Sequence, residues 1–184
     1  MTKSFLVVNQ SEVVSGANFS APDATETEEG SELVQYVTEQ SGVVVQSSGL
    51  HVGQICGFVS DESELRVADS VITAQRLLET AEKKALVEFA HSSVRSRSVC
   101  RKFSGRQLRV HASTFGPELA EVCETVEDAS VILNDTRFDR DSMQMFQNVD
   151  NVALFIRQCQ FLGVSAPSGF LIAQDAFNLK LELK

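Results

Sequence analysis

The stretch Met145-Phe146-Gln147-Asn148-Val149-Asp150-Asn151-Val152-Ala153-Leu154-Phe155-Ile156-Arg157-Gln158-Cys159-Gln160-Phe161-Leu162-Gly163-Val164 decides how the chain is read. Val149, Val152, Ala153, Phe155, Ile156, Cys159 and Leu162 recur at spacings of three and four, which places them on a wide apolar face of a helix. Gly163 stands where a helix ends in a left-handed C′ residue. The spacing predicts a buried helix over 145–163.

Working outward, residues 66–92 give a second periodic segment. Asp61-Glu62-Ser63-Glu64 has the form of a helix N-terminus, with side chains able to satisfy free backbone N–H groups. Behind it Val67, Val71, Ala74, Leu78, Ala81, Ala85 and Phe89 form one stripe on a helix of about 28 residues. Pro117 opens a short helix over 117–127, with Leu119, Val122, Cys123 and Val126 on its apolar face. Val131-Ile132-Leu133 reads as a buried turn or short strand. Leu179, Leu181 and Leu183 alternate with Lys and Glu as a strand or extended tail. The polar loop Thr136 to Ser142 contains the carboxylate pair Asp139/Asp141, read as solvated.

Residues 1–60 differ in character. Phe5 to Val8, Val13-Val14, Val43-Val44-Val45 and His51 to Val59 have strand or extended character, with Gly49, Gly53 and Gly57 weakening regular pairing. Residues 17–32 are polar, acidic and aperiodic, and do not fold alone. The organisation expected is an extended acidic N-terminal segment over 1–60 and a helical domain over 61–184.

The 184 residues carry a formal net charge of -9, unevenly. Residues 1–65 hold Lys3 as their only base against ten acids; residues 66–111 hold ten bases against four acids; residues 112–184 hold five against eleven. Within the basic block, Arg95, Arg97, Arg101, Lys102, Arg106 and Arg109 lie in seventeen residues without an acid. That run is either a solvated counter-charge for the acidic N-terminal segment or a contact for carboxylate or phosphate oxygens. An acidic chain with only Phe103 beside the run argues against nucleic acid.

Several function classes are disfavoured. No apolar run approaches the ~20 residues that span a bilayer, and the N-terminal apolar stretch breaks at Asn9, which reads as a soluble intracellular protein with no membrane partner. Cys56, Cys100, Cys123 and Cys159 are widely spaced and do not cluster with His51, His91 or His111, so no metal site, disulfide or cofactor is expected. His51 lies near Cys56 in sequence, but no nucleophile elbow, phosphate-binding loop or metalloprotease motif accompanies it, and no catalytic residue is assigned.

The quoted stretch resembles the core of a calponin-homology domain. Asn151-Val152 is similar to the family's turn, Phe155-Ile156 and Cys159 to its central helix, Leu162-Gly163-Val164 to the helix end, and Phe170 and Asp175 to the apolar residue and Asp that follow. Val131-Ile132-Leu133-Asn134 sits at the family's preceding hinge. The likeness is best over 129–178. It implies a mainly α fold, a calponin-homology-like helical bundle preceded by the extended segment. It also implies a non-enzymatic, cytoplasmic, cytoskeleton-associated structural protein docking on tubulin or actin filaments, with a cilium or flagellar axoneme as one location. The six basic residues are the candidate partner-binding set. The alternatives are a signalling or scaffolding adaptor and a viral structural subunit.

Overall fold

The structure, a computed structural model, describes residues 4–14, 32–139, 143–162 and 170–184. No helix occurs among them. In chain order the strands are β1 Phe5–Asn9, β2 Glu12–Val14, β3 Glu32–Val37, β4 Gly42–Gln46, β5 Gly49–His51, β6 Gln54–Val59, β7 Glu64–Ala68, β8 Val71–Thr73, β9 Arg76–Glu82, β10 Leu86–Ala90, β11 Ser93–Arg95, β12 Ser98–Ser104, β13 Gln107–His111, β14 Thr114–Phe115, β15 Glu121–Glu127, β16 Ser130–Asn134, β17 Arg137–Asp139, β18 Met143–Asp150, β19 Ala153–Arg157, β20 Gln160–Leu162, β21 Phe170–Phe177 and β22 Lys180–Leu183.

Each strand pairs with the one three places on, always parallel. Three sheets result: β1-β4-β7-β10-β13-β16-β19-β22, β2-β5-β8-β11-β14-β17-β20, and β3-β6-β9-β12-β15-β18-β21. The chain therefore winds as a three-sided parallel β-solenoid, each coil lying on the one before. Gly42, Glu64, Leu86, Gln107, Ser130 and Ala153 occupy one column at steps of about 22 residues, the repeat length of a solenoid coil.

The core is built by period-two alternation within each strand. In the first sheet Val43/Val45, Leu65/Val67, Val87/Phe89, Leu108/Val110, Val131/Leu133 and Leu154/Ile156 point inward and are buried. Their neighbours face out. In the second sheet one inward side chain per strand suffices. Phe115, Phe138 and Phe161 stack there in consecutive coils, with centroids 5.4 and 5.0 Å apart and rings near parallel.

One corner explains how the coils hold register. The residue after each of the first seven strands of the first sheet takes a positive φ: Gln10, Ser47, Asp69, His91, Ala112, Asp135 and Gln158 all lie between 47° and 52°. This left-handed residue turns the chain. Its N–H donates to the carbonyl that ends the strand above, as in Ser47 to Ala68, Asp69 to Ala90 and Ala112 to Asn134. The next residue is Ser11, Ser48, Ser70, Ser92, Ser113, Thr136 or Cys159. Each hydroxyl donates to the carbonyl two residues back, for example Ser70 to Ala68 at 2.6 Å and Ser92 to Ala90 at 2.8 Å. The Cys159 thiol does the same toward Arg157. The same oxygen accepts the N–H of the serine one coil earlier: Ser11 to Ser48, Ser48 to Ser70, Ser70 to Ser92, Ser92 to Ser113. A buried hydroxyl column thus satisfies backbone groups that a sharp interior corner would leave unpaired.

This architecture overturns the mainly α, calponin-homology-like bundle and the family resemblance, and it removes the ground on which the cytoskeletal and ciliary reading stood. The segment expected as a helix over 66–92 is β7 to β10, and 117–127 is a loop leading into β15. In the segment 145–163, Leu154 and Ile156 are buried, while Ala153 and Phe155 are only partly so. A helix with Phe155 and Ile156 on its apolar face would have placed Leu154 elsewhere. The misleading spacing has a physical source. Coils with three corners bring inward positions round at irregular intervals, and some fall three or four apart: Val67, Ala74, Leu78, Ala81, Ala85 and Phe89 are all buried, but Val71 points out. The segment 131–133, read as a buried turn or short strand, lies in β16, and the C-terminal alternation, read as a strand or extended tail, forms β22. Parallel pairing runs unbroken from β4 to β7 across residues 60 and 61. The aperiodic segment 17–32 lies outside the described residues except for Glu32, as do Asp141, Gly163 and Val164.

Candidate interaction surface

The winding scatters the six basic residues over all three sides of the solenoid, from β11 to β13. Arg95 ends β11 on the second sheet, and Arg97 stands at the following corner. Arg101 and Lys102 lie on β12 in the third sheet, Arg106 at the next corner, and Arg109 on β13 in the first. They are solvent-facing, but they do not form one patch. Two have intrachain partners on adjacent coils: Arg101 pairs with Glu79 one coil back, and Lys102 with Glu127 one coil on at 3.0 Å. Arg109 donates to Gln107 two residues back in its own strand. Similar rungs run along the solenoid, among them Lys84–Glu62 at 2.9 Å and Arg157–Glu182 at 3.0 Å. Exposed pairs of this kind contribute about 0–1 kcal/mol each. They match the charges of neighbouring coils and favour the correct register. Hydrogen bonds from Lys184 and Arg157 hold the Glu182 carboxyl below its ordinary value.

The thiols are built into the interior. Cys56, Cys100 and Cys123 are buried and free, and Cys159 is half-buried. Cys100 and Cys123 are register partners on β12 and β15. Burial pushes Cys56 up to about 12, opposed in part by hydrogen bonding with the Phe58 backbone. Burial also raises Cys123 and Cys159. Thiols held protonated in this way are poor nucleophiles. His51 stands on β5 in the second sheet, whereas Cys56 lies on β6 in the third. His91 and His111 stack edge-to-face at 5.3 Å on the exposed corner, where Asn134 approaches His111 Nδ1 at 2.9 Å. A shallow groove of about 260 Å³ crosses the third sheet near its C-terminal end, lined by Thr125, Glu127, Asn148, Asp150, Asp175 and Phe177 among others.

The apolar surface has a sharper distribution. Among the described residues, the large apolar side chains that stay exposed are Phe5, Leu6, Val7, Val14, Tyr36, Val71, Phe177, Leu181 and Leu183. All but Val71 belong to the first coil (β1 to β3) or to the last strands (β21 and β22). Coils between them bury their apolar residues against neighbours on both sides. Among the described residues, β1 to β3 and β20 to β22 have a paired strand on one side only. At the N-terminal end β1 leads the ramp, and the Phe5 ring lies over Gly42: a Cβ there would stand 2.5 Å from Phe5 Cε1. Phe5, Leu6 and Val7 are 48%, 46% and 59% exposed, three apolar residues in succession on a sheet edge. At the other end β22 reads Lys180-Leu181-Glu182-Leu183, with Lys184 following. Comparison with family models, with curated proteins and with solved structures found no match.

The charge run drew the sequence reading toward the middle of the chain, and it did not single out β1 as a site. The signal was available in Phe5-Leu6-Val7-Val8, an uncharged apolar strand that only the neighbouring coil, through the repeat, could identify as an edge.

Proposed function

We propose that this chain is a non-catalytic structural unit that binds other proteins end-on, through its terminal coils. The observation that carries this reading is that, among the described residues, every exposed large apolar side chain except Val71 lies on the first coil or the last strands. The long sides are covered by polar side chains and inter-coil ion pairs, which resist association because they are already solvated or matched. A stack of about 22-residue coils is stiff along its axis and can hold two ends at a fixed separation. The partner class is protein, since an open strand edge offers backbone hydrogen bonds that another strand can complete.

Site-specific photo-crosslinking in cells tests the reading. A photoreactive residue at Tyr36 or Phe177 should give protein adducts, whereas one at Arg109 or Ile132 on the long sides should give few. Adducts confined to the Arg109 and Ile132 positions would move the docking surface to the sides and sink the proposal.

A further inference from the structure

We propose that the partner at the N-terminal end is a second copy of this chain, its β1 pairing antiparallel with β1 across a two-fold axis at Val7. This rests on the end-on binding reading and names the partner. Backbone geometry selects the register. The Ser4 carbonyl accepts from Gly42 N–H at 2.9 Å, and Gln10 N–H donates to the Gln46 carbonyl at 3.1 Å. Even-numbered residues of β1 therefore bond to β4. By strand alternation Phe5, Val7 and Asn9 turn their N–H and C=O groups toward the open edge. Two such edges brought together antiparallel place Val7 opposite Val7 and Phe5 opposite Asn9. Every pair then exchanges N–H···O bonds, and Leu6 falls beside Val8 of the second copy.

The side chains favour this occupant over others. β1 carries no charge, so its self-pairing opposes no like charges and covers the exposed surface of Phe5, Leu6 and Val7. The opposite edge has the guarded form: Lys180, Glu182 and Lys184 project from β22, the device by which edge strands resist pairing. Head-to-tail joining would lay these charges beside Phe5, Val7 and Asn9. Tail-to-tail joining about an axis at Glu182 would set carboxylate against carboxylate. Joining by the N-terminal edges is isologous and closes at two copies, without open-ended growth.

Sedimentation velocity on the full chain, Val7→Lys and Phe177→Lys provides the test, with thermal unfolding of each as a folding control. The expected result is a dimer for the parent and for Phe177→Lys. Val7→Lys, which opposes two lysines at the axis, should raise the dimer dissociation constant more than about tenfold with the unfolding midpoint unchanged. As a second variant, Val7→Cys should form a covalent dimer on mild oxidation, because Cα atoms of a hydrogen-bonded antiparallel pair stand about 5.5 Å apart, within disulfide range. A monomeric parent at every concentration, a dimer lost with Phe177→Lys but kept with Val7→Lys, or growth into long polymers would each overturn the proposal. A monomeric parent that still yields adducts to other proteins from Tyr36 would remove self-pairing and leave end-on binding standing. Adducts only from the sides would remove both.

Discussion

Replacing Ser92 by alanine should cost far more than the loss of one small polar atom suggests. Its hydroxyl is buried, donates to the Ala90 carbonyl at 2.8 Å and accepts the Ser70 N–H at 3.3 Å. Ser92→Ala leaves the Ser70 N–H buried without an acceptor, worth about 1–3 kcal/mol, and removes a donated bond worth about 0.5–1.5 kcal/mol. The Ala90 carbonyl keeps the Asp69 N–H at 3.1 Å, which softens the second loss. The sum is a destabilisation of about 2–3 kcal/mol. Ser92→Thr should cost less than about 1 kcal/mol, because the same column already holds Thr136, buried and bonded to the Asn134 carbonyl at 2.9 Å. Guanidinium unfolding reads the difference as a shift in midpoint at constant slope. Amide exchange should accelerate first at Ser70. If Ser92→Ala falls within about 0.5 kcal/mol of the parent, or threonine is as costly as alanine, the hydroxyl column does not hold the corner.

At the same corner Ala112 sits at φ 47°, so Ala112→Gly should stabilise the fold by about 0.5–1 kcal/mol in the same unfolding assay. Gly105→Ala should destabilise by about 1–3 kcal/mol, since its new Cβ would stand 2.8 Å from the Ala85 carbonyl oxygen, a backbone atom that cannot step aside. Gly42→Ala meets the exposed Phe5 ring and, at 3.0 Å, the Glu64 Cγ, both side chains that can move, and should cost less than about 1 kcal/mol while speeding amide exchange in β1. Cys56 titrates at about 12 in the fold against an ordinary 9.0, so the unfolded chain releases this proton first. Its contribution is complete below about pH 9 and is lost as pH rises toward 12. Unfolding free energies measured between about pH 9 and 11 should therefore fall less steeply for Cys56→Val than for the parent.

Local strand character is visible in the sequence wherever alternation is clean, as in Val131-Ile132-Leu133 and in the Lys/Leu/Glu pattern of β22. The fold is not, because a solenoid is specified by a relation between segments rather than within one. Val45-Gln46-Ser47-Ser48, Val67-Ala68-Asp69-Ser70, Phe89-Ala90-His91-Ser92 and Val110-His111-Ala112-Ser113 look unremarkable singly. Aligned at about 22 residues they display one strand end, one left-handed residue and one hydroxyl. Sliding windows for helical spacing miss this and instead register inward positions from successive strands as a single stripe. The candidate site suffers in the same way. Six cations close in sequence are dispersed because the chain turns two corners between Arg95 and Arg109, whereas Phe5 and Tyr36, far apart in sequence, share one terminal coil.

Proton–proton contacts between backbone groups in solution test the parallel winding most directly. The solenoid predicts cross-strand contacts between Leu65 and Val87, between Val87 and Leu108, and between Val131 and Leu154, which are partners in register and 21 to 23 residues apart. It also predicts no α-proton contacts three residues apart within 66–92 or 145–163. Sequential three-residue contacts through those two segments, with the long-range set absent, would contradict the account and restore the helices.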